Sequence, residues 1–186
     1  TMMNKSTFQL EHNRLFSELQ DALKYDIAKI TGKANGGRSI LFVYPPVDDD
    51  AYISEAKKTL TGKYRFIDLR QLLTYFIQEM GLDTFRENYA NFQQEVFYSD
   101  NFPEESFFYA VMEHIKSAYA AGEIPVLVHT GTLFGMNFSN INIMEHRIVI
   151  ESQIPLIVFY PATVDKDNIY FMDRQVASKY RCIVIK

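Results

Sequence analysis

The chain opens with apolar residues at helical spacing. They are Leu15, Leu19, Leu23, Ile27 and Ile30. Charged side chains occupy the positions between them, so the pattern predicts an amphipathic helix that ends near Gly32. Residues 1–9 precede this stripe, and we expect them to form a flexible N-terminus.

Five short and almost continuously apolar runs follow, and each predicts a buried β-strand. They are residues 39–44, 64–69, 125–129, 155–160 and 180–185. Pro45 and Pro161 directly follow the first and fourth runs, and we expect each proline to end its strand. Uniformly apolar runs are typical of a parallel sheet that is covered on both faces.

Amphipathic segments separate these strands and predict helices. They lie at residues 48–60, 70–80, 83–100, 103–121 and 141–150. An acid at position 48, 49 or 50 is expected to cap the first, and Pro103 is expected to begin the fourth. The alternation predicts a single α/β domain over residues 1–186. Its mostly parallel sheet has about five strands with helices on both faces, a Rossmann-like or P-loop-like three-layer sandwich.

The composition is unusually rich in aromatic residues. Phe and Tyr number 15 and 12 and make up 15% of the chain, which has no Trp. The surplus is explained either by an aromatic-rich core or by surface aromatic residues that anchor a partner. The net charge is −4 without a run of Lys or Arg, so we expect no direct contact with nucleic acid.

Cys182 is the only cysteine, so the chain cannot form an intramolecular disulfide. It lies in an apolar run and is predicted to be a buried thiol in a reducing, cytoplasmic compartment. The first residues have no apolar signal-peptide core, and no run is long enough to span a membrane.

A near-match to a phosphate-binding loop spans residues 32–39, Gly-Lys-Ala-Asn-Gly-Gly-Arg-Ser. A phosphate loop leaves a strand and opens a helix, whereas this segment leaves a helix and enters a strand. Arg38 also stands where the lysine is needed. We therefore predict a plain connecting loop and no nucleotide cofactor.

The acids at positions 48–50 follow the first strand, where carboxylates can hold magnesium, and Asp68 ends the next strand. A helix cap explains the same acids without a metal. None of the four histidines has metal-ligand spacing to another His or to Cys, although His129 ends a strand. We therefore assign no catalytic, metal or cofactor residue.

One edge of the sheet remains a candidate ligand or partner site. Its residues are Tyr44, Asp48, Asp49, Thr130, Gly131 and Tyr160. Tyr44-Pro45 and Tyr160-Pro161 end parallel strands, so both tyrosines are expected to surface at the edge where α/β proteins place ligands.

Four collinear segments carry a resemblance to a known family. They are Leu41 to Asp49, Val126 to Gly131, Pro155 to Pro161 and Tyr180 to Ile185. This set resembles the BrxB family of bacterial BREX phage-exclusion systems, from about residue 10 to the end. Val43 and Pro45 replace two acids of the family pattern, and Ala162 replaces a glycine.

The resemblance implies a small, non-enzymatic component of a multi-protein phage-defence system. It also implies binding to a PglZ-like protein, with a BrxC-like ATPase as a further candidate partner. Whether the chain forms a homodimer is left open. Two alternatives remain. One is a degenerate nucleotide- or magnesium-dependent enzyme that uses residues 32–39 and 48–50, and the other is DNA contact within a larger assembly.

Overall fold

The structure is a computed structural model and describes residues 2–24, 39–166, 168–172, 175–176 and 182–186. Several predictions fall outside these ranges. They concern Ile27, Ile30, the loop at residues 32–38, and Tyr180 with Arg181.

Within these residues, seven strands form the sheet. They are β1 Ser39–Tyr44, β2 Tyr64–Asp68, β3 Ile124–Val128, β4 Leu156–Asp165, β5 Asn168–Phe171, β6 Gln175–Val176 and β7 Ile183–Ile185. Five of them pair in parallel in the order β2-β3-β4-β1-β7, while β5 pairs antiparallel with β4, and β6 pairs antiparallel with β5. The predicted α/β class and mostly parallel sheet are confirmed.

The described part of the chain contains seven α-helices beside the sheet. They are α1 Met2–Lys24, α2 Asp49–Thr59, α3 Leu69–Met80, α4 Leu82–Phe92, α5 Phe107–Ala120, α6 Asn140–Met144 and α7 Arg147–Ile150. None of these helices has both the length and the hydropathy needed to cross a membrane. The first helix begins at Met2, so residues 2–9 are helical where a flexible N-terminus was predicted.

Side-chain alternation along the strands builds two cores. Leu41 and Val43 of β1 face the layer of α3 and α5, and Phe42 and Tyr44 face the layer of α1 and α2. The same period of two runs through β3 and the first seven residues of β4, which explains why these stretches are apolar at every position. Both faces of the sheet are therefore covered.

Proline did not end the fourth strand as predicted. β4 continues through Pro161 to Asp165 and pairs there with β5. Pro161 supplies its carbonyl oxygen, which accepts a hydrogen bond from the Met172 amide at 3.0 Å. A proline that serves as an acceptor at this end of the sheet does not interrupt the pairing.

Two helix boundaries also differ from the prediction. Pro103–Glu105 forms a separate 3-10 turn, and α5 begins only at Phe107 because the extended Ser106 caps it by accepting from the Tyr109 amide. The predicted helix over residues 141–150 is two short helices, since His146 is extended between them.

The acidic segment after β1 does not cap its helix through a side chain. Pro46–Asp48 forms a 3-10 turn, and Asp48 occupies the N-cap of α2 without a side-chain hydrogen bond to the helix. Asp49 and Asp50 lie in the first helical turn, where their charge is favourable to the helix dipole.

Candidate functional site

Three segments meet at the carboxyl edge of the parallel sheet. Asp49 begins α2 after β1, Asp68 is the last residue of β2, and His129 directly follows β3. β1 and β3 are not neighbours, because β4 lies between them. The residues that follow these two strands approach each other across the end of β4, in the region where α/β proteins bind ligands.

His129 lies at the centre of this cluster. Its backbone is left-handed, with φ 53° and ψ 40°, a conformation that is uncommon for a residue other than glycine. Nδ1 lies 2.9 Å from Oδ2 of Asp68, and only 11% of the side chain is exposed. Both ring nitrogens are shielded from solvent, and neither makes a well-aligned hydrogen bond with the described residues.

The second ring nitrogen of His129 faces two more carboxylates. Nε2 lies 3.8 Å from Oδ2 of Asp49 and 3.8 Å from Oδ1 of Asp50. One ligand atom from each of the three residues falls within 4.8 Å of the others. Asp49 is 29% exposed and Asp50 is 96% exposed, so this group opens to solvent on the side of α2.

A hydrogen bond from Tyr44 fixes the position of the Asp49 carboxylate. The buried Tyr44 hydroxyl donates a short hydrogen bond to Oδ1 of Asp49. Burial, then this hydrogen bond and the nearby negative charges, raise the pKa of Tyr44 far above its ordinary value. Tyr44 therefore stays protonated and orients Asp49 as a donor.

Thr130 and Gly131 fix the loop that follows His129. Thr130 is buried, and its hydroxyl donates to the carbonyl oxygen of Phe159 in β4 at 2.5 Å. A β-carbon on Gly131 would come within 2.9 Å of Sδ of Met172, so the loop passes close to the β4–β5 hairpin. Both residues therefore determine where the loop lies.

Tyr160 does not join this site. Tyr44 and Tyr160 are 1% and 2% exposed, so the prediction that both surface at the sheet edge was wrong. They also point to opposite faces of the sheet, since Tyr160 stacks on Phe171 at a centroid distance of 4.7 Å. The apolar strand ends bury these rings because both sheet faces are covered by other elements.

A shallow cleft of about 190 Å³ opens above the cluster. Asp49, Arg70, His129 and Thr132 contribute its polar groups, and Pro46, Gly131, Pro161 and Met172 form the remainder. The cleft therefore combines carboxylate, imidazole and guanidinium groups, which is suited to a small polar or anionic ligand.

The sequence prediction found part of this cluster. Asp49, Thr130 and Gly131 were named and do lie at this edge, whereas Asp48 lies at the N-cap of α2, outside the group of possible metal ligands. His129, Asp50 and Arg70 were not included. Each belongs to the segment just after a parallel strand, and that position was the available indication.

A second surface lies on the layer of α3 and α5. We call it the acidic aromatic surface and define it by Leu82, Tyr89, Phe92 and Phe102, which are all exposed. The Phe92 and Phe102 rings meet edge to face at a centroid distance of 5.8 Å. They border a small hollow of about 100 Å³ that Met80, Asn88, Glu95, Val96 and Glu105 also line.

Residues 79–105 concentrate negative charge around this surface. The acids are Glu79, Asp83, Glu87, Glu95, Asp100, Glu104 and Glu105, and the single base is Arg86. Seven acids and one base give −6, against −4 for the whole chain. The rest of the protein is therefore slightly basic, and the acidity is a property of this one region.

Comparison with protein-family models, with curated proteins and with solved structures finds no match to this chain.

Proposed function

We propose that the chain is a non-enzymatic interaction component of a BREX-type phage-defence system and binds its PglZ-like protein. The identity of the system rests on the collinear resemblance of the four sequence segments. The observation that carries the interaction is the acidic aromatic surface, where exposed aromatic rings and a concentrated negative charge coincide.

Exposed aromatic side chains are the usual anchors of protein interfaces. Phe92 and Phe102 are 44% and 50% exposed, and their mutual edge-to-face contact holds them in place before a partner arrives. Rings that are already ordered lose little conformational freedom on binding. The pair is therefore suited to insert into an apolar pocket of the partner.

The surrounding acids specify the electrostatic character of that pocket. Glu95 and Glu105 flank the hollow beside the two rings. A partner surface with Lys or Arg around an apolar centre would complement this arrangement and speed association. The BrxC-like ATPase is a further candidate partner with the same requirement for a basic, apolar pocket. The experiment below also tests whether the chain binds it.

The test is co-purification of the full chain with the PglZ-like protein encoded beside its gene. We expect a stable complex, and we expect the Phe92→Ser, Phe102→Ser double variant to weaken it at least tenfold. Leu10→Ser is the matched control. Leu10 is an exposed apolar residue on α1, which packs against the opposite face of the sheet.

Two outcomes would overturn the proposal. One is the absence of any complex with either the PglZ-like protein or the ATPase at micromolar concentrations. The other is a genomic neighbourhood without a methyltransferase, a PglZ-like protein and a large ATPase. A complex that the double variant leaves intact would instead move the interface to another surface of the chain.

A second candidate is a degenerate nucleotide- or magnesium-dependent enzyme. The cleft favours it, because Asp49 and His129 lie beside Arg70, a cation able to bind phosphate. This hypothesis also uses the loop at residues 32–39, of which residues 32–38 lie outside the described residues. A rise in melting temperature with ATP and magnesium that Arg70→Gln abolishes would support it, and a flat response would remove it.

A further inference from the structure

The cluster around His129 brings hydrogen-bond acceptors together without enough donors. A neutral imidazole has one N–H and one lone pair. Asp68, 2.9 Å from Nδ1, favours the proton on that nitrogen, so the lone pair of Nε2 points towards Asp49 and Asp50. Three acceptor groups then face one another at 3.8 Å and beyond, shielded in part from water.

A cation between these acceptors would complement all three of them. Arg70 borders the same cleft, yet no ion pair within 4.0 Å joins it to Asp49, Asp50 or Asp68 in the described structure. The Tyr44 hydroxyl satisfies Oδ1 of Asp49 and leaves Oδ2 free to face His129. The protein therefore presents an oriented set of ligand atoms.

We propose that His129, Asp49 and Asp50 bind a divalent transition-metal cation, with Zn²⁺ as the reference ion. Zinc lies about 2.0–2.2 Å from imidazole nitrogen and carboxylate oxygen, which places two tetrahedral ligands about 3.4 Å apart. The observed 3.8 Å separations need to close by only a few tenths of an ångström. The exposed Asp50 side chain, on the first turn of α2, can supply this movement by a change of rotamer.

The donor set decides which metals fit. Imidazole suits zinc and other transition metals, whereas magnesium prefers oxygen ligands in near-ideal octahedral geometry. Three protein ligands leave a fourth position open, and here it faces the cleft beside Thr132 and Arg70. The metal would thus be able to take up an anionic or water ligand from solvent.

Asp68 is a positioning residue in this site. It does not belong to the ligand group, and its contact with Nδ1 orients the ring so that Nε2 is available. Outer partners of this kind contribute about 10–100-fold to metal affinity in known sites. The left-handed backbone at His129 is a second unusual feature of the site, since residues in such conformations cluster at ligand-binding positions.

The experiment is calorimetric titration of the chelator-treated full chain with Zn²⁺, and then with Mg²⁺. We expect one zinc ion bound at this site with micromolar or tighter affinity, and magnesium at least tenfold weaker. Asp49→Asn and His129→Asn should each weaken zinc binding more than tenfold, and Asp68→Asn about tenfold. Asparagine is chosen at position 129 because it tolerates the left-handed backbone.

Two control variants separate this site from adventitious binding. Glu55→Gln removes an acid from the same helix, and His114→Asn removes an exposed histidine from α5, so both should leave the affinity unchanged. Circular dichroism of each variant tests that it remains folded.

The proposal is overturned if the wild-type chain binds no zinc at micromolar concentrations, or if His114→Asn abolishes binding that His129→Asn preserves. Equal loss in the ligand and control variants would also contradict it. The outcome is independent of the interaction proposal, since Phe92 and Phe102 take no part in this cluster.

Discussion

The hydroxyl of Thr130 donates a hydrogen bond to the carbonyl oxygen of Phe159, 29 residues further along the chain, at 2.5 Å. Both residues are buried. The bond ties the loop after β3 to the neighbouring strand β4, and that loop begins with His129. The position of the candidate site therefore depends on a contact that lies beneath it.

Thr130→Val tests this tie with little change in side-chain volume. We expect the free energy of unfolding to fall by about 1–2 kcal/mol, because the buried Phe159 carbonyl loses a donor and gains no water. Chemical denaturation measures the change. Thr130 and Thr132 lie on one 3-10 turn, Thr130–Leu133. Thr132 is only half-buried, so Thr132→Val is the control and should lower the free energy of unfolding clearly less. An equal loss of stability in the two variants would mean that the hydrogen bond to Phe159 makes no special contribution to the free energy of unfolding.

Tyr44→Phe removes the donor that orients Asp49. The ring remains in place among Phe42, Tyr52 and Phe159, so the expected loss of about 1.5–3 kcal/mol comes from a hydrogen bond to a charged acceptor. Denaturation of Tyr44→Phe measures it. The same change at the exposed Tyr75 is the control. A Tyr44→Phe protein as stable as wild type would contradict the assigned bond.

His12 is a buried polar residue within an aromatic cage. Its ring lies 4.5 Å from Tyr52 and 5.0 Å from Phe16, measured between centroids, and Nε2 has no hydrogen-bond partner among the described residues. We expect His12→Phe to stabilise the protein by about 1 kcal/mol, because an unsatisfied polar atom is replaced by an apolar edge. A lower melting temperature of the variant would show instead that the His12 ring makes a hydrogen bond that stabilises the protein.

His146 makes the stability of α7 depend on pH. Its Nδ1 accepts a hydrogen bond from the Ile148 amide at 3.2 Å and so caps the helix, and burial lowers the pKa of His146 from its usual 6.5. The cap is present above pH 6.5 and is lost as the pH falls through the lowered value, because a protonated Nδ1 cannot accept.

We therefore expect stability to fall as the pH drops below 6.5, by up to about 1 kcal/mol, which is the usual contribution of a helix cap. His146→Asn keeps a capping oxygen without the titration and should flatten this part of the stability profile. Parallel profiles for the variant and the wild type would contradict the assignment.

The strands of the sheet could be predicted from the sequence, because the local preference for a strand and the burial of the same residues agree there. Every position of Ser39–Tyr44 and Ile124–Val128 is buried, so the apolar runs mark these strands directly. The error at Pro161 has a different origin. Whether proline ends a strand depends on what its amide position faces, and that is decided by the distant hairpin of β5.

The site was less accessible to prediction because it is assembled across strand order. Asp49 follows β1, Asp68 ends β2 and His129 follows β3, and the sequence does not reveal that β4 inserts between β1 and β3. Strand ends could be identified, but the distances between them could not. The predicted role of Tyr160 failed for the same reason, since the face of the sheet depends on register.

Cys182 gives the last prediction, on the alkaline side. It lies before β7 and packs against the core of the α3 and α5 layer, where burial raises the pKa of the thiol from 9.0 to about 12. Because the folded-state pKa is raised, this contribution to stability is complete below pH 9 and is lost as the pH rises from 9 towards 12.

Between pH 9 and 10, the free energy of unfolding should fall by up to about 1.4 kcal/mol on account of this thiol. The tyrosines with raised pKa values, Tyr44, Tyr52, Tyr64 and Tyr119, add a loss of their own as the pH approaches and passes 10, where the unfolded chain ionises. Cys182→Val keeps the packing and removes the thiol ionisation, so its free energy of unfolding should fall less than that of the wild type over this interval. The folded wild type should also resist alkylation by iodoacetamide at pH 8, because the reactive species is the thiolate. Rapid modification under native conditions would mean that the half-buried Cys182 thiol is more accessible than the structure shows.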